Sequence, residues 1–258
     1  MLPHKSTTTL TFGDCAENHA GMEQIGTKMA AGSGYTLADL LPIYRRFKEL
    51  GADARLYRLN FREEHSPAYL LHIKNAAAYL GDVEELQKEQ AGLEDIYDKK
   101  AFMRGEVKNK RARWNLCFSR GAGHGPAYAE GKGTVVSYDA VPHLKRLYEQ
   151  LPVFFGPKAA ILEGEANYYY DVSKCGIGYH GDTERCKVVA LRLGATMPIC
   201  FQWYHRSEPV GPQMRFEIGH GDMYVMSEKA VGNDWRSPTK WTLRHAAGCD
   251  AYTKRQED

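Results

Sequence analysis

His180 and Asp182 stand two residues apart in the run Ile177-Gly178-Tyr179-His180-Gly181-Asp182. In an extended strand the side chains of residues i and i+2 leave the same face. The spacing therefore offers one imidazole and one carboxylate to a single metal ion, while Gly181 turns away and leaves room. A third donor is needed. Two imidazoles and one carboxylate leave three positions open, which suits iron(II) that must take a cosubstrate and then dioxygen. Downstream of Asp182 the histidines are His205, His220 and His245. His245 is preferred, because it lies in a strand-like run followed by Ala246, Ala247 and Gly248, small residues that admit a metal and substrate close to the backbone. His220 precedes the turn-like pair Gly221-Asp222, and His205 sits beside Tyr204, Arg206 and Ser207 at an expected strand end.

The elements that must position these residues change character near residue 100. Downstream, short runs of aromatic and β-branched residues are punctuated by glycine and proline, the texture of an all-β barrel or sandwich. Strands are expected at 112–118, 134–138, 167–172, 178–180, 186–193, 199–204, 215–218, 222–226 and 241–245, with a helix at 142–151. The glycine-rich loop 120–133 fits either a lid or an ordinary connection. Upstream, the pattern is mainly helical. Leu37, Leu40, Leu41, Tyr44 and Phe47 recur at helical spacing behind a cap at Thr36, and Gly51 ends the helix. Strands at 54–59 and 68–74 and a charged helix at 81–90 follow. Nothing in residues 1–95 reads as catalytic; Asp14, Glu17, Asn18 and His19 read as a solvated turn or helix cap. The division expected is a supporting region, 1–95, and a functional domain, 96–258.

A chain of 258 residues, 43% hydrophobic and 26% charged, buries one substantial core without covalent staples. No apolar run approaches the roughly 20 residues that span a bilayer, so no membrane partner is expected. The six cysteines lack C-x-x-C spacing and read as reduced thiols of an intracellular protein, cytoplasmic or nuclear. A net charge of +2 gives the whole molecule no pull on a polyanion. Locally the balance differs. Between residues 99 and 120, eight cations, among them Arg111 and Arg113, stand against the single acid Glu106, with Phe102, Trp114 and Phe118 interleaved. Cations grip phosphates and aromatic faces stack on bases, as a nucleic-acid contact requires; a solvated basic loop followed by a core-facing strand is the plainer reading.

Residues 95–250 resemble the AlkB-like iron(II)/2-oxoglutarate dioxygenases, in their viral and algal branch. The resemblance is carried by Asn109-Lys110-Arg111-Ala112-Arg113, Gly131-Lys132-Gly133, Asn167-Tyr168-Tyr169-Tyr170, the Ile-Gly-x-His-x-Asp run ending at Asp182, Gly221-Asp222-Met223-Tyr224-Val225-Met226 and Thr242-Leu243-Arg244-His245. It implies a mainly β fold with helices (α+β), a double-stranded β-helix, or jelly roll, behind the mostly helical N-terminal region. Where the family places its distal histidine, Gly232-Asn233-Asp234-Trp235-Arg236-Ser237 contains none. Two alignments follow. In the preferred one, His245 is the distal ligand and Arg255 or Lys254 binds the cosubstrate. In the other, Arg244 clamps 2-oxoglutarate, and Asn233, Asp234 or water completes the metal site.

The resemblance also implies a reaction. 2-Oxoglutarate chelates Fe(II), an arginine forks onto its far carboxylate with Tyr170 or Asn167 adding a hydrogen bond, and O2 takes the last site. Asp182 argues for hydroxylation over halogenation, since a halide needs the carboxylate's place. Glu184 and Arg185 read as plain surface charges rather than as support for the metal site. The expected substrate is a modified nucleobase, hydroxylated or oxidatively demethylated in single-stranded nucleic acid or as a nucleotide, with Arg111, Arg113 and Trp114 in contact. A hydroxylase of a small metabolite or protein side chain on the same fold, and a catalytically silent binding module, are the rival readings.

Overall fold

The computed structural model describes residues 5–16 and 21–254. In chain order, β1 (Thr7–Gly13), β2 (Cys15–Ala16) and β3 (Ile25–Gly26) lead to α1 (Leu37–Glu49), β4 (Ala54–Arg58), β5 (Tyr69–Ile73) and α2 (Val83–Ala91). There follow β6 (Lys100–Met103), β7 (Glu106–Asn109), β8 (Trp114–Ser119), β9 (Val135–Ser137), α3 (Pro142–Phe155) and β10 (Glu163–Tyr169). The last elements are β11 (Gly176–His180), β12 (Val188–Gly194), β13 (Met197–His205), β14 (Glu208–Ile218), β15 (Met223–Met226), α4 (Glu228–Val231), β16 (Thr242–Gly248) and α5 (Asp250–Thr253). The fold is mainly β with a few helices. Every strand expected beyond residue 100 overlaps an observed one, and the β6–β7 hairpin, of which β7 is exposed, is additional.

Eight strands form a large mixed sheet in the order β4-β5-β15-β12-β1-β10-β8-β9, and four form a smaller one, β11-β16-β13-β14. Alternation along the strands divides the large sheet into two faces. Leu10 and Phe12 of β1 and Val189, Leu191 and Leu193 of β12 join a core with Leu40, Ile43 and Phe47 of α1 and Leu144, Leu147 and Leu151 of α3. Full burial of such side chains contributes roughly 1.5–3 kcal/mol each. The α1 stripe falls at helical spacing, and the helix starts at a capping box in which Thr36 accepts from the Asp39 amide and Asp39 from the Thr36 amide. The intervening residues, Thr9 and Thr11 on β1 and Val188 and Arg192 on β12, face the other way and line a cavity shared with the small sheet.

The N-terminal third departs from the sequence reading. α1, α2, β4 and β5 fall near their expected positions, but β1 was not expected, and it lies inside the large sheet. It pairs with β10 from Thr7↔Tyr169 to Gly13↔Glu163 and with β12 from Thr7↔Gly194 to Phe12↔Val189. The boundary at residue 95 therefore marks no break in the sheet, which also joins β5 to β15. Threonine's branched Cβ suits a buried strand. Its partners, however, lie at least 150 residues away in sequence, out of reach of any local pattern. The loop at 120–133 carries its own bonds: His124 bridges Val135, Ala127 bridges Lys132, and the Tyr128 hydroxyl donates to Asp98 at 2.9 Å. Among the described residues no helix is long and apolar enough to cross a membrane.

Candidate metal centre

β11 and β16 are neighbours in the small sheet, and their register sets His180 opposite His245, with a bulge between Ile177 and His180. Bulges re-aim side chains at strand ends. Beyond β11 the chain is held by the Asp182 amide, which donates to the Val231 carbonyl at 3.0 Å. Gly181 is required here for space: a Cβ would stand 2.1 Å from the Gly232 carbonyl oxygen. Gly232 in turn has φ +75° and would put a Cβ 2.5 Å from the Leu243 carbonyl oxygen. Two glycines thus let the His180–Asp182 turn, the segment after α4 and strand β16 approach backbone to backbone.

The result is one cluster. One ligand atom from each of His180, Asp182 and His245 lies within 4.8 Å of the others. Nε2 of His180 is 3.5 Å and Nε2 of His245 3.7 Å from Oδ1 of Asp182. Donors bound about 2.1 Å from an ion sit roughly 3 Å apart when adjacent, so a small inward adjustment suffices for this set to close on a metal. Nδ1 of His180 is 2.8 Å from the Gly178 carbonyl, which can only accept. That bond therefore fixes the proton on Nδ1 and leaves the Nε2 lone pair toward the cluster.

Electrostatics keep the donors in their ligand forms. Burial, reinforced by His245, lowers the pKa of His180 below its ordinary value and favours the neutral ring. For Asp182 burial works toward protonation, yet Arg185 and then the two imidazoles outweigh it and hold the carboxyl well below the usual carboxylate range. Arg185 is 4% exposed, which corrects the expectation that it and Glu184 are plain surface charges. Its Nη2 lies 2.8 Å from Glu165 Oε2, and its Nε lies 3.4 Å from Glu184 and 3.7 Å from Asp182. It anchors the carboxylate ligand from behind.

The other expected site residues separate by strand face. Asn167 lines the cavity, its Oδ1 accepting from Arg113 Nε at 2.7 Å and from Asn115 at 2.8 Å. Arg113 lines it too. Tyr170 does not: its hydroxyl donates to the Arg111 carbonyl, its ring packs 5.0 Å from Trp114, and Tyr169 lines the cavity instead. Trp114 is covered by Tyr168, Tyr170 and the Lys99 ammonium, so its faces are taken by the protein itself. Arg111 is exposed and contributes only its carbonyl. Arg244, one residue from His245 in a strand, points to the opposite face, where it stacks 4.0 Å over Tyr204 and 5.3 Å from Trp235. Arg255 lies outside the described residues, as do Glu17, Asn18 and His19. Asp14 is no solvated turn: it is buried and accepts from the amides of Cys186 and Lys187.

The remaining candidates are committed elsewhere. His220 accepts from the Gly194 amide, His205 stacks on Trp241, Asn233 donates to Cys186 Sγ, and Asp234 pairs with Lys229. All six cysteines are free. The cavity beside the triad, about 280 Å³, also exposes Thr9, Thr11, Glu165, Tyr224, Trp235 and Arg236, which the sequence reading did not select. The first two bring the N-terminal strand to the cavity wall, within the region 1–95 in which nothing reads as catalytic from the sequence. An arginine inside the apolar run Val188-Val189-Ala190-Leu191-Arg192-Leu193 was the one available signal for Arg192, since a charge in a buried strand demands a partner.

No protein-family model matches the chain. It is 43% identical over 260 residues to the uncharacterized protein R156 of Acanthamoeba polyphaga mimivirus, an alignment covering 98% of this chain and all of that protein.

Proposed function

The chain belongs to the same family as that mimivirus protein, and we propose that it is an Fe(II)- and 2-oxoglutarate-dependent dioxygenase acting on a modified nucleobase. The observation that carries the reading is the convergence of His180, Asp182 and His245 on one wall of a cavity. Two imidazoles and a carboxylate with open positions are the donor set that iron(II) oxygenases use. Strand order adds support. From β10 to β16 the chain visits the large, small, large, small, small, large and small sheets in turn. That alternation supports reading the two sheets as a jelly roll, with β1 between β10 and β12 as its returning strand.

His180, Asp182 and His245 would hold the iron, which with 2-oxoglutarate and O2 supplies an oxidant able to remove hydrogen from carbon. The protein's own share is positioning and protection. The Nδ1–H of His180 on Gly178 fixes one imidazole, and Arg185 keeps Asp182 ionised. The two sheets enclose the cavity and keep the reacting centre from bulk water. For the nucleobase reading, Arg113 and Arg236 in the lining supply cations for phosphate; the Trp235 ring beside them carries Arg236 and Arg244 over it.

Iron-dependent conversion of 2-oxoglutarate to succinate, abolished by His180→Ala and by Asp182→Ala, is the test of the reaction class. Absence of turnover in iron-loaded protein offered mixed modified nucleosides, oligonucleotides and metabolites would leave a binding module. For the substrate, oligonucleotide affinity should fall steeply with salt. Salt-independent or absent binding would exclude nucleic acid and favour a small-molecule or protein side-chain hydroxylase on the same scaffold.

A further inference from the structure

Glu165 lies in the middle of β10, where alternation turns it to the cavity face together with Asn167 and Tyr169. A carboxylate that is only 4% exposed in such a strand needs partners on both oxygens. Oε1 accepts from Asn115 Nδ2 at 2.6 Å, and Oε2 accepts from Arg185 Nη2 at 2.8 Å. The first bond has a fixed sense. Lys110 Nζ, which can only donate, lies 3.2 Å from Asn115 Oδ1, so the Asn115 amide turns its two N–H groups to Glu165 and Asn167. Asn115 is itself fully buried, and its backbone carbonyl accepts from the Asp98 amide at 2.8 Å. One oxygen of Glu165 is thus held by the large sheet, and the other meets Arg185.

Arg185 treats its carboxylate neighbours differently. It hydrogen-bonds Glu165, whereas its Nε, 3.4 Å from Glu184 and 3.7 Å from Asp182 Oδ2, makes no hydrogen bond among the described residues. Nε and Nη2 form one edge of a guanidinium, the edge with which Arg55 grips Asp53 in this same molecule. An arginine that forks onto a carboxylate with that edge engages both of its oxygens. Here Glu165 occupies the Nη2 half, so the edge that faces Asp182 has only Nε to offer. We propose that Glu165 is a positioning residue for the metal centre: by taking Nη2 it holds the Arg185 fork off Asp182 and leaves the lone pairs of that carboxylate to the metal. This deepens the reading of the metal centre given above and rests on it. The buried acid on β10 acts through Arg185 and touches neither the ion nor its ligands.

Two substitutions separate charge from shape at this position. Glu165→Gln keeps the shape and loses the charge, whereas Glu165→Asp keeps the charge and shortens the side chain. Equilibrium dialysis of the full-length protein against Mn(II) should show affinity about tenfold weaker in Glu165→Gln and within about threefold of wild type in Glu165→Asp. A packing role predicts the reverse order, because the isosteric variant would then be the silent one. A double-mutant cycle identifies the route. In an Arg185→Met background Glu165→Gln should weaken Mn(II) binding by less than about twofold, since no fork remains to be held off. An unchanged affinity in Glu165→Gln, a larger loss in Glu165→Asp than in Glu165→Gln, or an equal loss with and without Arg185 would overturn the proposal and leave the metal reading standing. Glu165→Asp and the double variant carry the test by themselves where Glu165→Gln alone is too unstable to assay. Each should stay within about threefold of its own background, wild type or Arg185→Met, and a larger loss in either overturns the proposal. Wild-type protein that takes up no Mn(II), or a His180→Ala variant that binds it equally well, would instead bring down the metal reading, and this proposal with it.

Discussion

Two buried groupings of histidine and carboxylate occur in this molecule, and they are built in opposite ways. His72 and Asp222 lie 2.9 Å apart, and the carboxylate also accepts from the amides of Asn75 and Gly219, both at 2.9 Å. Both oxygens of Asp222 are thus bonded at short range within the fold. His180 and His245 stand 3.5 and 3.7 Å from Asp182, and among the described residues Nδ1 of His245 is buried without a partner. The second grouping is also the more open, with the His180 side chain 24% exposed against 6% for His72. The two differ further in satisfaction: the first is closed by the fold, whereas in the second Gly178 holds one imidazole and Arg185 faces the second oxygen of Asp182. A buried ionisable cluster is therefore a candidate site because of what its atoms still lack.

The largest effect that would break this contrast concerns metal affinity. His180→Ala and Asp182→Ala should each weaken Mn(II) or Fe(II) binding by about 1,000-fold in equilibrium dialysis, since a donor is removed outright. Asp222→Ala should leave that affinity within about twofold. Next comes stability. Asp222→Ala strands His72 and two buried amides, and should cost about 3 kcal/mol, a fall of roughly 10 °C in melting temperature; an unchanged melting point would erase the distinction. Arg185→Met acts on the open cluster from behind and should reduce metal affinity roughly 10–100-fold.

The smallest expected effect is on pH dependence. The folded pKa of His180 lies below the ordinary 6.5, so below pH 6.5 the unfolded chain takes up its proton before the folded one does. Stability of the metal-free protein from this group is complete above pH 6.5 and is lost as pH falls toward the folded value. Buried His65 contributes with the same sign. Melting curves of His180→Asn and His65→Asn between pH 7 and 5 should each flatten part of this slope. Asp182, depressed in the fold, adds a separate loss only below the ordinary carboxylate value of 3.8.

Much of the metal cluster was legible in the chain because its logic is local. A two-residue spacing in a strand fixes His180 and Asp182 on one side, and the small residues after His245 marked a close approach. Alternation also explains the errors by one. Tyr170 and Arg244 are immediate neighbours of Tyr169 and His245, and a shift of one residue in a strand exchanges the two faces. The covering of Trp114 by Lys99, Tyr168 and Tyr170 was not legible for a different reason: these partners lie in other segments of the chain.

Sequence alone determined the strand periodicity, the capped helix at Leu37–Glu49 and the donor pair around Gly181, since each follows from side-chain geometry within a few residues. Tertiary structure alone decided that the first strand runs between β10 and β12, that Arg185 is buried beside Asp182, and that Arg192 lines a cavity with its Nε and Nη1 unpartnered among the described residues. Those facts depend on pairings between residues far apart in the chain, as in the bond from Thr7 to the Leu193 carbonyl, 186 positions away. Local propensity does not encode which distant strand completes a sheet; the burial gained when the two faces close does.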